Sequence, residues 1–234
     1  MIRSLLTHLT LLVLFASATI AADAPNTLTE AEKSAGWKLL FDGKTNAGWV
    51  GVGKTEFPPK GWSVVNGVLL HTDDAGGGDI VTSEQYEDFE LSWEWKIGPG
   101  GNSGIKYNLA EPTKATGFEY QLMDDANHAD GKRGSHQTGG LYDLLEPTGK
   151  SLKPIGEWNH SRILVNGNHV EHWLNGVKTA TFEIGSPELK TAIAKSKYKA
   201  QPRFGEKAKS PILIQDHGDE VAIRSMKLRV LPGK

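Results

Sequence analysis

The chain has 234 residues, and its formal net charge at pH 7 is −2, from 26 basic and 28 acidic side chains. This near balance excludes an overall electrostatic attraction to nucleic acid or to an anionic membrane surface. The chain has no cysteine, so disulfide bonds and thiol catalysis are excluded, and stability must come from a packed core to which a bound metal could add.

The first 22 residues have the pattern of an export signal. Arg3 supplies positive charge, residues 5–15 are largely apolar, and small residues follow at 16–22. This order is typical of a signal peptide, and the apolar run is too short to favour a membrane span. We therefore predict a signal peptide over 1–22 and a secreted or periplasmic protein without membrane insertion. A flexible leader with a helical turn is expected over 23–35.

Short alternating runs separated by glycine turns make up most of the remaining chain. Turn signals occur at Asn66-Gly67, Asn166-Gly167 and Asn175-Gly176, and the first is typical of a two-residue hairpin. Seven tryptophans and 27 glycines also indicate a chain rich in strands and turns. We predict a single all-β domain over 36–232, folded as a two-sheet jelly-roll β-sandwich.

Only one stretch of this domain favours a longer helix. Ser186 has the character of an N-cap, and Pro187 suits the first helical position. A lysine-rich segment continues to about Tyr198. The pattern predicts one minor, peripheral helix.

The most regular alternation begins at Phe89. Trp93 and Trp95 share one phase with their apolar neighbours, which predicts that both tryptophans belong to the core. Two shorter alternating runs follow, at 105–109 and 118–122. Three neighbouring strands would place four polar side chains on a single face: Glu94, Lys106, Glu119 and Gln121. Acids, a base and an amide together suit sugar binding or proton transfer, and a plain solvated face is the alternative.

A long polar segment without periodicity follows at 124–137. Loops of this length inside compact domains are usually functional or disordered. The spacing of its acidic residues does not fit a calcium-binding EF-hand. Residue types alone would allow a divalent metal ion at Asp124 and His128, and the alternative is a solvated loop with turns formed by Asp and Asn side chains.

Two acids on one strand, Glu90 and Glu94, also raise the possibility of a conventional glycosidase. Residues four apart on a strand are separated by about 13 Å at ~3.3 Å per residue. Catalytic carboxyl groups of glycosidases lie roughly 5–9.5 Å apart. Ser92 also stands between the two acids, where sandwich glycosidases of the laminarinase type carry an aspartate. Both observations weaken this alternative.

Six segments in order resemble the 3-keto-disaccharide hydrolase family. They are GWKLLFDGKTNAGW, WEWKIGPGGNSGIKYN, FEYQLMDD, EWNHSRI, HWLNG and ILIQDHG. The likeness extends over about 36–231, almost all of the chain after the predicted signal peptide. It implies a concanavalin-A-like jelly roll and an exported enzyme that acts on 3-keto-glycosides.

Such a substrate needs no conventional pair of glycosidase carboxylates. A ketone at C3 of the sugar acidifies the hydrogen on C2, and the glycosidic oxygen on C1 is positioned to leave. A base can therefore remove the C2 proton and expel the aglycone, and water then adds to the resulting enone. This chemistry needs a general base, a group that stabilises the enolate oxygen, and a proton donor. Lys106 or a divalent metal could hold the enolate oxygen.

The resemblance makes Glu119, within FEYQ, the first catalytic candidate. Further catalytic candidates are Glu94, Lys106 and His217, although the family often has arginine at the position of Lys106. Candidate substrate-binding residues are Asn102, Gln121, Tyr142, Gln215 and His136. The predicted partner is a carbohydrate substrate. A non-catalytic carbohydrate-binding module on the same fold is the main alternative, and the acids on the predicted face favour an enzyme.

Overall fold

The computed structural model describes residues 24–111 and 113–233, so the predicted signal peptide over 1–22 lies outside the described residues. Within them, thirteen strands form two antiparallel sheets. The larger sheet has eight strands: β1 (Lys38–Leu39), β3 (Trp62–Val65), β4 (Val68–His71), β6 (Phe89–Ile97), β9 (Asn159–Asn166), β10 (His169–Leu174), β11 (Val177–Glu183) and β13 (Val221–Val230). The smaller sheet has five strands: β2 (Trp49–Gly51), β5 (Ile80–Thr82), β7 (Asn102–Tyr107), β8 (Phe118–Met123) and β12 (Leu213–Ile214).

The order of the strands is that of a jelly-roll β-sandwich. The larger sheet runs β11-β10-β9-β6-β13-β4-β3, and β1 pairs with β13. The smaller sheet runs β2-β5-β12-β7-β8. Strands distant in sequence are therefore neighbours in both sheets, and the predicted fold class is confirmed.

Two of the three turn signals act as predicted, and the third turn is shifted by one residue, to Gly167 and Asn168 between β9 and β10. Asn66 and Gly67 join β3 to β4 with φ values of 50° and 78°. Asn175 and Gly176 join β10 to β11 with φ values of 49° and 83°. Two consecutive residues with positive φ form the turn that matches the twist of an antiparallel pair, and Asn-Gly adopts it at little cost.

Helices are short. In the described residues they are α1 (Glu30–Ser34), α2 (Pro187–Lys195) and two 3-10 helices at Ala129–Lys132 and Gly134–His136. Ser186 caps α2 by accepting from the Leu189 main-chain N–H at 3.1 Å, as its sequence predicted. Leu189 is buried in the main core, so α2 is packed against the sandwich.

No helix among the described residues is long and apolar enough to cross a membrane.

The segment expected to be a flexible leader contacts the larger sheet. Thr29 and Glu32 form a capping box at α1. The Asn26 side chain donates to the Gly67 carbonyl at 2.8 Å and accepts from the Ser225 main-chain N–H at 2.7 Å. These bonds attach the segment to the β3–β4 turn and to β13.

The core lies between the two sheets and is rich in aromatic side chains. Trp93 of β6 meets Tyr120 of β8 edge to face, with ring centres 5.1 Å apart. Phe89 of β6 meets Tyr107 of β7 in the same way at 6.1 Å. Each such pair contributes about 0.5–1.5 kcal/mol beyond the burial of its area. Trp95 is also fully buried, so both tryptophans of β6 belong to the core as predicted.

One predicted neighbourhood is wrong. The three alternating runs form β6, β7 and β8, but β6 belongs to the larger sheet and only β7 pairs with β8. Glu94 on β6 therefore does not share a face with Lys106 and Glu119. Its side chain projects from the opposite side of the sandwich, with the core between.

Candidate active site

The outer face of the five-stranded sheet carries most of the polar side chains predicted to be functional. Lys106 on β7 and Glu119 on β8 are directly opposed in the strand register. Gln215 follows β12 on the other side of β7, where its main-chain N–H donates to the Gly104 carbonyl at 2.9 Å. Because side chains alternate along a strand, these side chains point away from the core. We call the following set the polar face: Asn102, Lys106, Glu119, Gln121 and Gln215.

Glu119 is an acid enclosed by protein, with only 3% of its surface exposed. Its side chain leans over Gly104, where an added Cβ atom would stand 2.5 Å from Glu119 Oε1. Glycine at this position therefore makes room for the carboxylate. Burial raises the pKa of Glu119 above its ordinary value, and the charge of Lys106 offsets part of the rise. A raised pKa makes the ionised carboxylate a stronger base, as a general base working near neutral pH requires.

Lys106 and Gln215 hold this carboxylate from two directions. Lys106 Nζ lies 3.7 Å from Glu119 Oε2. With its amide nitrogen turned towards Glu119, Gln215 donates to Glu119 Oε1 at 3.2 Å and accepts from Lys106 Nζ at 3.2 Å. Because Lys106 is also buried, its charge is little screened by water, so it can orient Glu119 and favour its ionised form.

Asn102 lies at the other end of the polar face, where three ionisable side chains meet. Asn102 Oδ1 accepts from Gln121 Nε2 at 2.9 Å. Asn102 Nδ2 lies 3.4 Å from His128 Nε2 and 3.4 Å from His217 Nε2. Asp219 Oδ2 accepts from the Asn102 main-chain N–H at 2.9 Å and lies 3.4 Å from His217 Nδ1. One potential ligand atom from each of the two histidines and Asp219 lies within 4.8 Å of the others.

These three side chains are the group of described residues that could hold a divalent metal, since imidazoles and carboxylates are common ligands. Of the two predicted ligands, His128 belongs to the group and Asp124 does not. The Asp124 carboxylate accepts from the Gly100 main-chain N–H at 2.8 Å and from the Asn127 side chain at 2.7 Å. Burial alone would raise the pKa of Asp124, but these hydrogen bonds bring it below the ordinary value. Asp124 therefore orders its own turn.

Tyr142 and Lys197 border the polar face beyond β8. The Tyr142 main-chain N–H donates to the Glu119 carbonyl at 3.0 Å. Lys197 Nζ lies 4.2 Å from the centre of the Tyr142 ring and 5.1 Å from that of Tyr198. The Lys197 side chain is exposed, yet the protein around its ammonium lowers its pKa, which the negative charge of Glu119 partly opposes. Lys197 follows α2 closely, so the helix predicted to be peripheral ends beside the site.

His136, a predicted substrate-binding residue, lies behind Tyr142 rather than on the polar face. The two ring centres are 4.3 Å apart, and His136 is buried. His136 Nε2 lies 3.0 Å from Asp143 Oδ1, and Asp143 Oδ2 accepts from the Lys197 main-chain N–H at 2.7 Å. The Tyr142 hydroxyl donates to Asp130 at 3.1 Å. His136 thus supports the residues that border the site.

Asp79 and the loop after β12 complete the surroundings. Asp79 Oδ1 accepts from the Asp216 main-chain N–H at 2.9 Å, and burial raises the pKa of Asp79. Below the loop, the fully buried His71 has Nδ1 3.0 Å from the Asp219 carbonyl oxygen and Nε2 3.1 Å from Asp216 Oδ1. These contacts fix the loop that carries two members of the histidine–aspartate group.

Sequence reasoning missed three residues of this site. Asp79 ends a glycine-rich stretch, 75–79, in which neither spacing nor residue types mark the acid as functional. Lys197 belongs to the lysine-rich segment for which the sequence predicts only a minor, peripheral helix. Asp219 lies two residues after His217, and that spacing within one polar loop was the available signal.

The outer face of the larger sheet has a different arrangement. Glu94 accepts from Arg224 Nε at 2.9 Å. Glu90 accepts from Arg162 Nη1 at 2.6 Å and from Arg229 Nε at 2.8 Å. Each acid is therefore engaged by arginine, which leaves neither free to act as a glycosidase acid or nucleophile. The structure does not bring Glu94 together with the other predicted catalytic residues, because β6 lies in the other sheet.

Comparisons with known proteins agree with this geometry. The sequence profile of the 3-keto-alpha-glucoside-1,2-lyase-like domain matches residues 36–229. The chain belongs to this family. The 3-keto-disaccharide hydrolase of Bacteroides thetaiotaomicron is 32% identical in an alignment of 230 positions that covers 84% of this chain and 79% of that protein. The family resemblance predicted from six sequence segments is thus confirmed.

Solved structures from Parabacteroides distasonis are also similar. A candidate glycosyl hydrolase is 38% identical with a TM-score of 0.81, over 89% of this chain and 100% of that one. A second is 26% identical with a TM-score of 0.63, over 83% of this chain and 99% of that one. Together with the family match, these structures support a carbohydrate-active hydrolase on a jelly-roll sandwich.

Proposed function

We propose that this chain is an exported enzyme that cleaves 3-keto-glycosides by elimination followed by hydration. Membership of the family supports a sugar substrate that carries a 3-keto group. The observation that carries the proposal is Glu119, a buried carboxylate with a raised pKa, beside one lysine and two amides. The pattern of the first 22 residues supports export.

The first step is removal of the proton on C2. The ionised Glu119 takes this proton, the C–H electron pair becomes the C2–C3 double bond, and the π pair of the ketone moves onto O3. The adjacent ketone makes this step feasible because the negative charge rests on oxygen in the enolate. Lys106 favours the ionised form of Glu119 before the transfer.

The enolate then expels the group on C1. The electron pair on O3 re-forms the ketone, C1 and C2 become doubly bonded, and the C1–O bond breaks with its pair on the aglycone oxygen. Lys197 and His217 both lie close enough to influence the pKa of Glu119, and each can donate a proton to that oxygen. The sugar product is an enone.

Hydration completes the net hydrolysis. Water adds its oxygen to C1 of the enone, and protonated Glu119 returns a proton to C2. The proton lost by the water restores the group that protonated the aglycone. The net reaction breaks one glycosidic bond and consumes one water molecule, and the ketone is retained.

Release of the aglycone from a 3-keto-glucoside and from its unoxidised parent tests the proposal. We expect release from the keto substrate alone. Cleavage of the parent would instead support a conventional glycosidase, and inactivity on both with retained sugar affinity would support a binding module. A parallel assay with chelator tests the predicted divalent metal, which requires that turnover be lost and then restored by added metal.

A further inference from the structure

His128 presents a ring N–H to one end of the polar face. The main-chain N–H of Asp130 donates to His128 Nδ1 at 3.1 Å, where His128 caps the 3-10 helix Ala129–Lys132. A ring nitrogen that accepts such a bond carries no proton, so the neutral ring has its proton on Nε2. His128 therefore offers Nε2–H as a hydrogen-bond donor towards Asn102.

Asn102 directs a second donor to the same point. Because Asn102 Oδ1 accepts from Gln121, its amide nitrogen faces the two histidines, with each Nε2 at 3.4 Å. One of its hydrogens can go to His217 Nε2, and the other meets the N–H of His128. Two donors cannot satisfy each other. Within residues 24–111 and 113–233, Asn102 Nδ2 is the one polar neighbour within hydrogen-bond distance of His128 Nε2.

An oxygen atom held between these two donors would satisfy both. We propose that His128 and Asn102 bind the C3 oxygen of the substrate and stabilise its negative charge in the enolate. The inference rests on the proposed function, whose first step creates that charge. Donors aimed in advance at a developing oxyanion contribute strongly to catalysis, and loss of one costs roughly 10²–10³-fold in kcat.

The spacing between this donor pair and Glu119 suits the substrate. The Glu119 carboxylate leans over Gly104. Gly104 and Asn102 are successive outward positions of β7, about 6.6 Å apart at ~3.3 Å per residue. The carboxylate and the donor pair therefore lie over neighbouring outward positions of one strand, close enough for a single sugar ring to contact both. The base can thus face C2 while the donors face O3.

The same contacts disfavour His128 as a metal ligand through Nε2. A metal-bound histidine normally keeps its second ring nitrogen protonated and donates that N–H to an acceptor. His128 Nδ1 instead accepts from the main chain. Coordination of a metal by His128, His217 and Asp219 would require the loss of this bond.

Substitutions in the full-length protein test the donor pair. Asn102→Asp keeps the shape but replaces the donor with an acceptor that would occupy His128 N–H, so kcat on the 3-keto substrate should fall about 10²–10³-fold. His128→Leu should cause a similar loss, and His128→Gln, which supplies an amide N–H, should recover part of it. His169→Leu, which alters a half-buried histidine of the larger sheet, should retain the wild-type rate.

Two results would overturn the inference. Wild-type turnover by Asn102→Asp would show that Asn102 donates nothing to the substrate. Binding of one equivalent of Mn²⁺ or Zn²⁺ in calorimetry, abolished by His128→Leu, would show a metal centre instead.

Binding measurements separate this inference from the proposed function. A 3-keto sugar with hydrogen in place of the C1 leaving group should bind at least tenfold more weakly to Asn102→Asp and to His128→Leu than to the wild type. If the wild type binds this ligand but cleaves no 3-keto-glycoside, the proposed function is wrong. Weaker binding by both variants would in that case still support the donor pair. Unchanged affinity in both variants would refute the donor pair whatever the turnover.

Discussion

The outer faces of the two sheets both carry charged side chains, but the acids on the two faces have different partners. On the larger sheet, Glu90 is engaged by two arginines and Glu94 by one, Arg224. On the five-stranded sheet, Glu119 is more deeply buried than Glu94 and has a single lysine at 3.7 Å. Burial raises the pKa of Glu119. Charge on a sheet face therefore does not by itself indicate function, whereas a buried acid with incomplete neutralisation does.

Aromatic side chains reinforce this contrast. Arg224 lies 4.0 Å from the ring centre of Trp158, and Arg162 lies 4.4 Å from that of Trp173. These cations cover ring faces that a sugar would need for stacking. The outer face of the larger sheet therefore offers neither a free acid nor a free aromatic platform beside these arginines, although its acids and tryptophans are the more conspicuous residues in the sequence.

The largest expected effect separates the two acids. Glu119→Gln should lower turnover of a 3-keto-glycoside about 10²–10⁴-fold because it removes the general base but keeps the shape. Glu94→Gln should leave turnover within about twofold, since it lies across the core from the reaction. Aglycone release measured on both variants checks this pair, and a fully active Glu119→Gln enzyme would reject the assignment.

A smaller loss should follow from adding one methyl group beside the base. Gly104→Ala would place a Cβ atom 2.5 Å from Glu119 Oε1, so the carboxylate must move. Displacement of a catalytic group by about 1 Å can cost roughly 10²-fold, and we expect a 10–100-fold fall in kcat. Gly98→Ala is the matched control because its nearest neighbour, the Cβ of Glu220, would lie at 3.7 Å. Equal rates for the two variants would contradict the placement of Glu119.

Substitution of the two buried acids, Glu90 and Glu119, should affect stability in the opposite order to turnover. Glu90→Gln weakens hydrogen bonds to two arginines and should lower the free energy of unfolding by about 1–3 kcal/mol, with turnover unchanged. Glu119→Gln removes a buried carboxylate whose ionised form is disfavoured by burial, but it also removes the counter-charge of the buried Lys106. These two effects oppose each other, so the free energy of unfolding should change less than in Glu90→Gln. Urea unfolding of both variants checks this order, and a larger loss of stability in Glu119→Gln would contradict it.

The smallest expected effect comes from the core between the two faces. Burial lowers the pKa of His172 to about 4, and Tyr107 Oη lies 2.7 Å from His172 Nε2. The unfolded chain takes up this proton near its ordinary pKa of about 6.5, so stability is fully present above that pH and is lost as pH falls towards 4. Between pH 7 and pH 5.5 the loss should be about 1 kcal/mol. Unfolding of His172→Gln should show a smaller pH dependence, and an unchanged one would contradict the assignment.

Local patterns predicted much of this fold. Asn66-Gly67 forms its hairpin and Ser186 caps its helix because both depend on a few adjacent residues. Alternation also predicted which side of β6, β7 and β8 faces the core. It could not predict that β6 and β7, joined by a short turn, belong to different sheets. That choice depends on pairing of β6 with β9 and β13, far away in sequence.

At the candidate site, too, local features could be predicted from the sequence and features that depend on distant segments could not. Glu119, Lys106 and Gln121 were predicted together because β7 and β8 are consecutive and paired. Asp79 and Lys197 reach the site from distant loops, whose positions no periodicity encodes. The buried environment of Glu119 also comes from tertiary packing, so its raised pKa could not be predicted from its neighbours in sequence.

The central claim is that Glu119 removes the proton on C2. A 3-keto sugar with hydrogen in place of the C1 leaving group cannot eliminate, so exchange of its C2 hydrogen in D₂O, followed by NMR, reports proton removal alone. We expect rapid exchange with the wild type and with Gly98→Ala, and only the background rate with Glu119→Gln. A wild-type enzyme that binds this sugar and cleaves the corresponding 3-keto-glycoside without exchanging the C2 hydrogen would contradict this role of Glu119.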